Sequence, residues 1–138
     1  IKKEQDFEVM LLPVRSACDS QYCAVGLMLV GYSLEICLKS MIIIKEGIEG
    51  YKKIEKKTRH HRLHDLAKFV PDLSKKEIAI LRGLTHFVYW AGRYPDPGSG
   101  KEGDTEEIFD IAETYRITAG DLFKLSAKVM NHAQEVTA

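Results

Sequence analysis

The chain reads as an all-α protein, an up-and-down antiparallel bundle of four main helices plus a short one. Three observations predict this. Apolar residues recur at intervals of three and four along most of the sequence. Cap and stop residues punctuate it at helical lengths, and no segment sustains the period-two alternation of a strand. With 138 residues, 45% of them hydrophobic and 29% charged, the chain is expected to form one soluble domain, residues 1–138, with a real core. Its formal net charge is zero, so the overall balance demands neither a nucleic acid nor a membrane as partner.

The first helical segment is expected over about residues 4–18, with Pro13 as a kink or a late first turn. Asp19 and Ser20 are N-cap residue types for a long second helix that runs to Glu46 and stops at Gly47. Ala24, Leu27, Gly31, Leu34, Leu38 and Met41 form its apolar face, and Gly31 in that row predicts close approach of another helix. Residues 24–44 are the most apolar window, but Glu35 and Lys39 interrupt it, which predicts a buried helix and no membrane span. Cys18, Cys23 and Cys37 show no CxxC pairing and lie in apolar, helix-like sequence. They are expected to be buried free thiols of a reducing, cytoplasmic compartment.

Residues 49–62 carry six Lys/Arg against two Glu and read as a basic linker. A short helix over His64–Val70 follows, ended by Pro71-Asp72. Ser74 with Glu77 makes a capping box for the next helix, which should reach Ala91 with Gly92 as the residue just past its end. "PDPGSGKEG" is loop; its GSGK lacks the strand and the spacing of a phosphate loop. Asp104 with Glu107 signals the last helix start. From there Ile108, Ile111, Tyr115, Thr118, Leu122, Leu125 and Val129 keep a heptad-like spacing, suited to an internal bundle seam or a dimer seam.

Three pieces carry a family resemblance: "GYSLEICLKSMIIIKEG" (31–47), "HRLHDLAKFV" (61–70) and "WAGRYP" (90–95). Together, in this order, they resemble the HEPN domain, the small helical bundle named for nucleotide binding in higher eukaryotes and prokaryotes. The likeness spans about residues 5–130. It implies a HEPN-like bundle, a homodimer, and a nucleotide or RNA ligand. By family analogy it also implies a place in a toxin–antitoxin or defence system, with an antitoxin-type or nucleotidyltransferase partner protein. Many members are metal-independent endoribonucleases with an Arg-x(4–6)-His signature; here Arg82-Gly-Leu-Thr-His86 is one residue short of it. Arg59 and His64 have the spacing but fall in and just after the basic segment. Whether the chain is an enzyme therefore stays open, with Arg82 and His86 as the candidate catalytic residues.

Helical geometry puts Arg82, His86, Tyr89 and Arg93 on one stripe, with Trp90 at its shoulder. Guanidinium groups pair with phosphate, rings stack on bases, and imidazole exchanges a proton near neutral pH. Tyr89, Trp90 and Arg93, joined by Lys56, Lys57, Arg59 and Arg62, are thus the candidate nucleotide- or RNA-binding set. The bland reading makes Tyr89 and Trp90 core, Arg93 a helix cap, and Arg82 and His86 a solvated face. Glu35, Lys39 and His64 are read as structural polar residues. A carboxylate on so apolar a helix needs partners, with Lys39 the local candidate and Arg93 the distant one. His60, His61, His64 and Asp65 invite a metal reading, but Arg59 and Arg62 would repel a cation, so neither metal nor cofactor is expected. The remaining possibility is a protein-interaction or dimerisation module with no nucleic-acid binding, using the Ile108–Val129 face.

Overall fold

Helices make up nearly all of the protein, and no strand occurs among the described residues of the computed structural model. The structure describes the backbone of residues 2–92 and 102–138, and the side chains of residues 23–92, 103, 104 and 106–138. Among the described residues five α-helices follow one another: α1 (Lys2–Thr58), α2 (Leu63–Leu66), α3 (Lys75–His86), α4 (Glu102–Tyr115) and α5 (Ala119–Thr137). A 3₁₀ turn (Ala67–Phe69) extends α2 and a π turn (Phe87–Ala91) extends α3.

Helix α1 is broken at Gly47, whose φ of 72° and ψ of 168° lie outside helical space and are open to glycine without strain. The predicted stop at Gly47 is therefore present. The predicted start at Asp19 and Ser20 is not, because the helix runs through both. A cap residue stabilises a helix end only where the chain turns, and nothing between Pro13 and Gly47 forces a turn. Beyond Gly47 the expected linker is corrected too, since residues 48–58 are helical. Lys and Glu are good helix formers, and Glu55 pairs with Arg59 one turn on at 3.1 Å.

The core gathers Leu34, Leu38 and Met41 of α1, Leu63 and Leu66 of α2, Ile80, Leu81 and Leu84 of α3, and Leu125 and Val129 of α5. Leu38, Leu63, Leu81 and Leu125 are fully buried, each stabilising by roughly 1.5–3 kcal/mol relative to exposure. Residues 23–58 include a stretch long and apolar enough to cross a membrane, although Leu34, Leu38 and Met41 turn one side of it into this core. The opposite side leaves Leu29, Ile36, Ile43 and Ile44 exposed.

Gly31 has the predicted role. A Cβ there would lie 2.6 Å from Val88 Cγ2 and 3.4 Å from the Leu84 carbonyl oxygen, so α3 and its π turn press directly on α1. Gly92 serves the same contact: a Cβ would lie 2.4 Å from Met28 Cβ. The segment ends at Ala91 with Gly92 just past it, as expected, and the Gly92 φ of −81° is right-handed, so this glycine serves close packing. The pairings 31 with 88 and 28 with 92 run α1 and α3 antiparallel.

Ser74 and Glu77 form the predicted capping box. Lys128 reaches from α5 to Glu77 at 2.6 Å and to the Asp72 carbonyl at 2.7 Å, while Lys76 bridges to Asp121 at 2.8 Å. Asp104 lies inside α4, which starts two residues earlier than expected, at Glu102. The single last helix is also corrected. Arg116 turns left-handed at φ 48°, and Thr118 starts α5 with a capping box of its own to Asp121. The heptad row thus belongs to two helices. Leu125 and Val129 are consumed in the core, while Ile108, Ile111 and Leu122 line an apolar cavity of about 330 Å³ with Cys23 and Leu27. Cys23 is exposed and Cys37 half-buried, which corrects the expectation of burial for these two free thiols, while the side chain of Cys18 lies outside the described residues.

Candidate functional site

The turn between α1 and α2 is pinned to α3 before any of its side chains act. The Leu63 N–H donates to Thr85 Oγ1 at 3.1 Å, and the Thr85 hydroxyl donates in turn to the Leu81 carbonyl at 2.8 Å. Two residues earlier, the His61 N–H donates to the Tyr89 hydroxyl oxygen at 3.1 Å. The His61 and Tyr89 rings meet edge to face with centroids 5.3 Å apart.

Glu35 completes this cluster. It is 5% exposed, and a buried carboxylate without partners would cost several kcal/mol. Its Oε1 takes both His61 Nδ1 and Lys39 Nζ, the latter at 3.3 Å. The expected local pair with Lys39 is present. The expected long-range pair with Arg93 lies outside the described residues, as do Tyr94, Pro95 and the GSGK loop. An ionised carboxylate can only accept, so His61 Nδ1 is the donor in this contact. The His61 side chain is 44% exposed. A buried carboxylate thus orients a solvent-reachable imidazole, an arrangement able to take a proton or donate to an anion.

The α3 stripe fans out. Arg82 is exposed. His86 turns to α4, where its Nε2 meets Glu107 Oε2 at 3.0 Å and only 14% of its side chain is exposed. Tyr89, in the π turn and 42% exposed, turns instead to the His61 segment. The wider π turn, closed by the Gly92 N–H donating to the Phe87 carbonyl at 3.1 Å, breaks the 100° register that would hold these residues in line. Trp90 is half-buried, and its indole N–H finds no hydrogen-bond partner among the described residues.

His64 sits half-buried inside α2, whose N-cap is Arg62 with no side-chain cap bond. Burial pushes the His64 imidazole below its ordinary value, Arg82 and Arg62 add to that, and Asp65 and Glu107 oppose it. His64, Arg82 and Glu107 therefore share one electrostatic neighbourhood, with His64 neutral at pH 7. Two of the candidate phosphate-binding arginines are engaged locally: Arg62 Nε with Asp65 at 2.7 Å, and Arg59 with Glu55. Lys56 and Lys57 are exposed on the last turn of α1.

Sequence reasoning marked Glu35 as needing a partner but missed His61, because 26 residues separate them and no local spacing announces the pair. Thr85 and Glu107 were missed for the same reason. The adjacent histidines at 60 and 61 were the one available signal. No protein-family model, curated protein or solved structure matches the chain.

Proposed function

We propose that the chain is a HEPN-like nucleotide- or RNA-binding module that works as a cytoplasmic homodimer, with α1, α3, α4 and α5 as the long helices of an up-and-down bundle and α2 as the short one. The observation that carries the reading is the cluster in which His61 and Lys39 meet the buried Glu35 and Tyr89 meets His61, on a chain that also exposes Arg82, Lys56 and Lys57. An aromatic ring, an oriented imidazole and a lysine in one cluster suit a base and its phosphate. A role in a toxin–antitoxin or defence system, with an antitoxin-type or nucleotidyltransferase partner, rests on the resemblance alone.

A second reading, metal-independent endoribonuclease, is favoured by the two carboxylate-bonded histidines, His61 on Glu35 and His86 on Glu107. In that reaction a histidine takes the ribose 2′-OH proton and the 2′-oxygen attacks phosphorus. The P–O5′ bond breaks, leaving a 2′,3′-cyclic phosphate, and the departing oxygen is protonated. Arg82 would stabilise the charge that develops on phosphate. A third reading, a pure interaction module, draws on the exposed α1 face of Leu29, Ile36, Ile43 and Ile44, because the Leu125–Val129 part of the heptad row is spent inside the chain.

The test is incubation of mixed-sequence single-stranded RNA with the protein in EDTA, followed on denaturing and native gels beside His61→Ala and His86→Ala. A salt-sensitive shift of intact RNA, weakened in His61→Ala, is the expected result. Cleavage lost in either variant establishes the ribonuclease instead. RNA neither shifted nor cut refutes both and leaves the interaction module.

A further inference from the structure

Helix α4 carries six acidic residues and no basic one. Two of them, Asp104 and Glu107, stand one helical turn apart, and their carboxylates face His86 across the α3–α4 contact. The three donor atoms all lie within 4.8 Å of one another. Two carboxylates brought this close repel, and a neutral imidazole has one N–H to offer, which bonds only one of them. The same set of donors describes half of a metal coordination shell.

We propose that His86, Asp104 and Glu107 form a divalent-cation site joining α3 to α4. The proposal does not rest on the nucleic-acid reading, and it revises the sequence-based expectation of no metal at a place other than the His60–His64 run. That run offers no comparable set: His60 Nδ1 accepts the Arg62 N–H at 3.0 Å and His61 Nδ1 is held by Glu35.

Three features carry it. The His86 Nε2 to Glu107 Oε2 separation is 3.0 Å. Two ligands about 2.1 Å from one ion and at right angles to each other are separated by about that distance. The ligands come from two helices that run antiparallel, with His86 against Glu107 and Gly83 against Ile111, so their spacing is set by helix packing and not by a loose chain. The site is also partly open, with Glu107 41% exposed, which leaves positions for water to complete the shell. One nitrogen and two oxygens suit Mn²⁺, Fe²⁺ or Zn²⁺ better than Mg²⁺ or Ca²⁺, which take oxygen ligands. Arg82, one turn before His86, opposes a cation, but it is exposed and its charge is screened by solvent.

Mn²⁺ is the probe of choice, because the exposed Cys23 thiol would compete for Zn²⁺. EDTA-stripped protein is titrated with Mn²⁺, and the free ion is counted by its six-line electron paramagnetic resonance signal, beside Asp104→Asn and Glu107→Gln. The expected result is one Mn²⁺ per chain, with affinity at least about tenfold weaker in each variant and helicity by circular dichroism unchanged. Asp104→Asn alone decides if Glu107→Gln loosens the α3–α4 contact. Wild-type protein that binds no Mn²⁺ at millimolar concentration overturns the proposal. So does Asp104→Asn binding as tightly as wild type, or Mg²⁺ binding as tightly as Mn²⁺.

Discussion

Gly31 offers the sharpest test of how α1 and α3 are held together. Replacing it by alanine removes a helix-interior glycine, which by itself should stabilise by roughly 1 kcal/mol. The new methyl, however, meets Val88 Cγ2 at 2.6 Å, and Val88 is fully buried and branched at Cβ, so it has no free rotamer to retreat into. Overpacking of this kind costs about 1–3 kcal/mol, so Gly31→Ala should be destabilising in net by up to about 2 kcal/mol. Val88→Ala, a buried truncation, should cost about 1–3 kcal/mol alone. In that background the offending Cγ2 is gone, and the nearest atoms to the new methyl are the Leu84 carbonyl oxygen at 3.4 Å and Leu63 Cδ1 at 3.8 Å. Gly31→Ala should then stabilise, by about 0.5–1 kcal/mol. The sign of one substitution reverses with the identity of one neighbour. Urea denaturation of the four proteins, followed by circular dichroism, reads the coupling against the roughly 0.3–0.5 kcal/mol scatter expected of independent sites. Equal effects of Gly31→Ala in both backgrounds would refute the packing argument.

Two further outcomes follow from the polar contacts. Glu35→Gln should lower stability by about 1–3 kcal/mol, since it removes the charge that His61 and Lys39 share in a buried setting; an unchanged urea midpoint would sink the account of Glu35 as the organiser of that turn. Lys76, with help from the Thr118 cap, holds the Asp121 carboxyl down from 3.8 to about 2. A carboxyl lowered in the folded state adds stability that is present above pH 3.8 and is lost as the pH falls toward about 2. Asp121→Asn should therefore flatten that part of the melting-temperature profile, and a profile as steep as wild type would show that the carboxyl is not perturbed.

Several local features were legible because their causes are local. The Ser74–Glu77 capping box, the break at Gly47 and the small residue at position 31 each need only a few neighbours in sequence to be read. The same rules, applied to Thr118 and Asp121, split the last helix, but the apolar row running across them hides that cap. The charge of the 49–62 segment suggests a linker, although its Lys/Glu content also favours helix. The candidate site was the least legible part. Glu35 declared a need for a partner by its apolar surroundings, yet the partner is set by how Thr85 and Tyr89 anchor a turn from α3, and such tertiary contacts leave no periodic trace. The fanning of His86 away from Tyr89 depends on a π turn, which no residue type in "FVYWA" specifies.

That π turn has a consequence for how the chain tolerates change. It accommodates more residues per turn than an α-helix, so removing one residue between Phe87 and Ala91 would leave a sequence fully able to form an ordinary helix. The shortened segment would keep its backbone hydrogen bonds, and four residues at about 100° each turn the chain through nearly the angle that the five residues of the wider turn cover, so the residues after it keep their orientation. Gly92 would keep its seat on Met28, while the side chains inside the turn, Tyr89 among them, would be re-aimed and the Tyr89 hydroxyl would leave the His61 amide. Stability of the helix and composition of the polar cluster are thus governed separately here. The cluster depends on the length of the segment as much as on the residues in it.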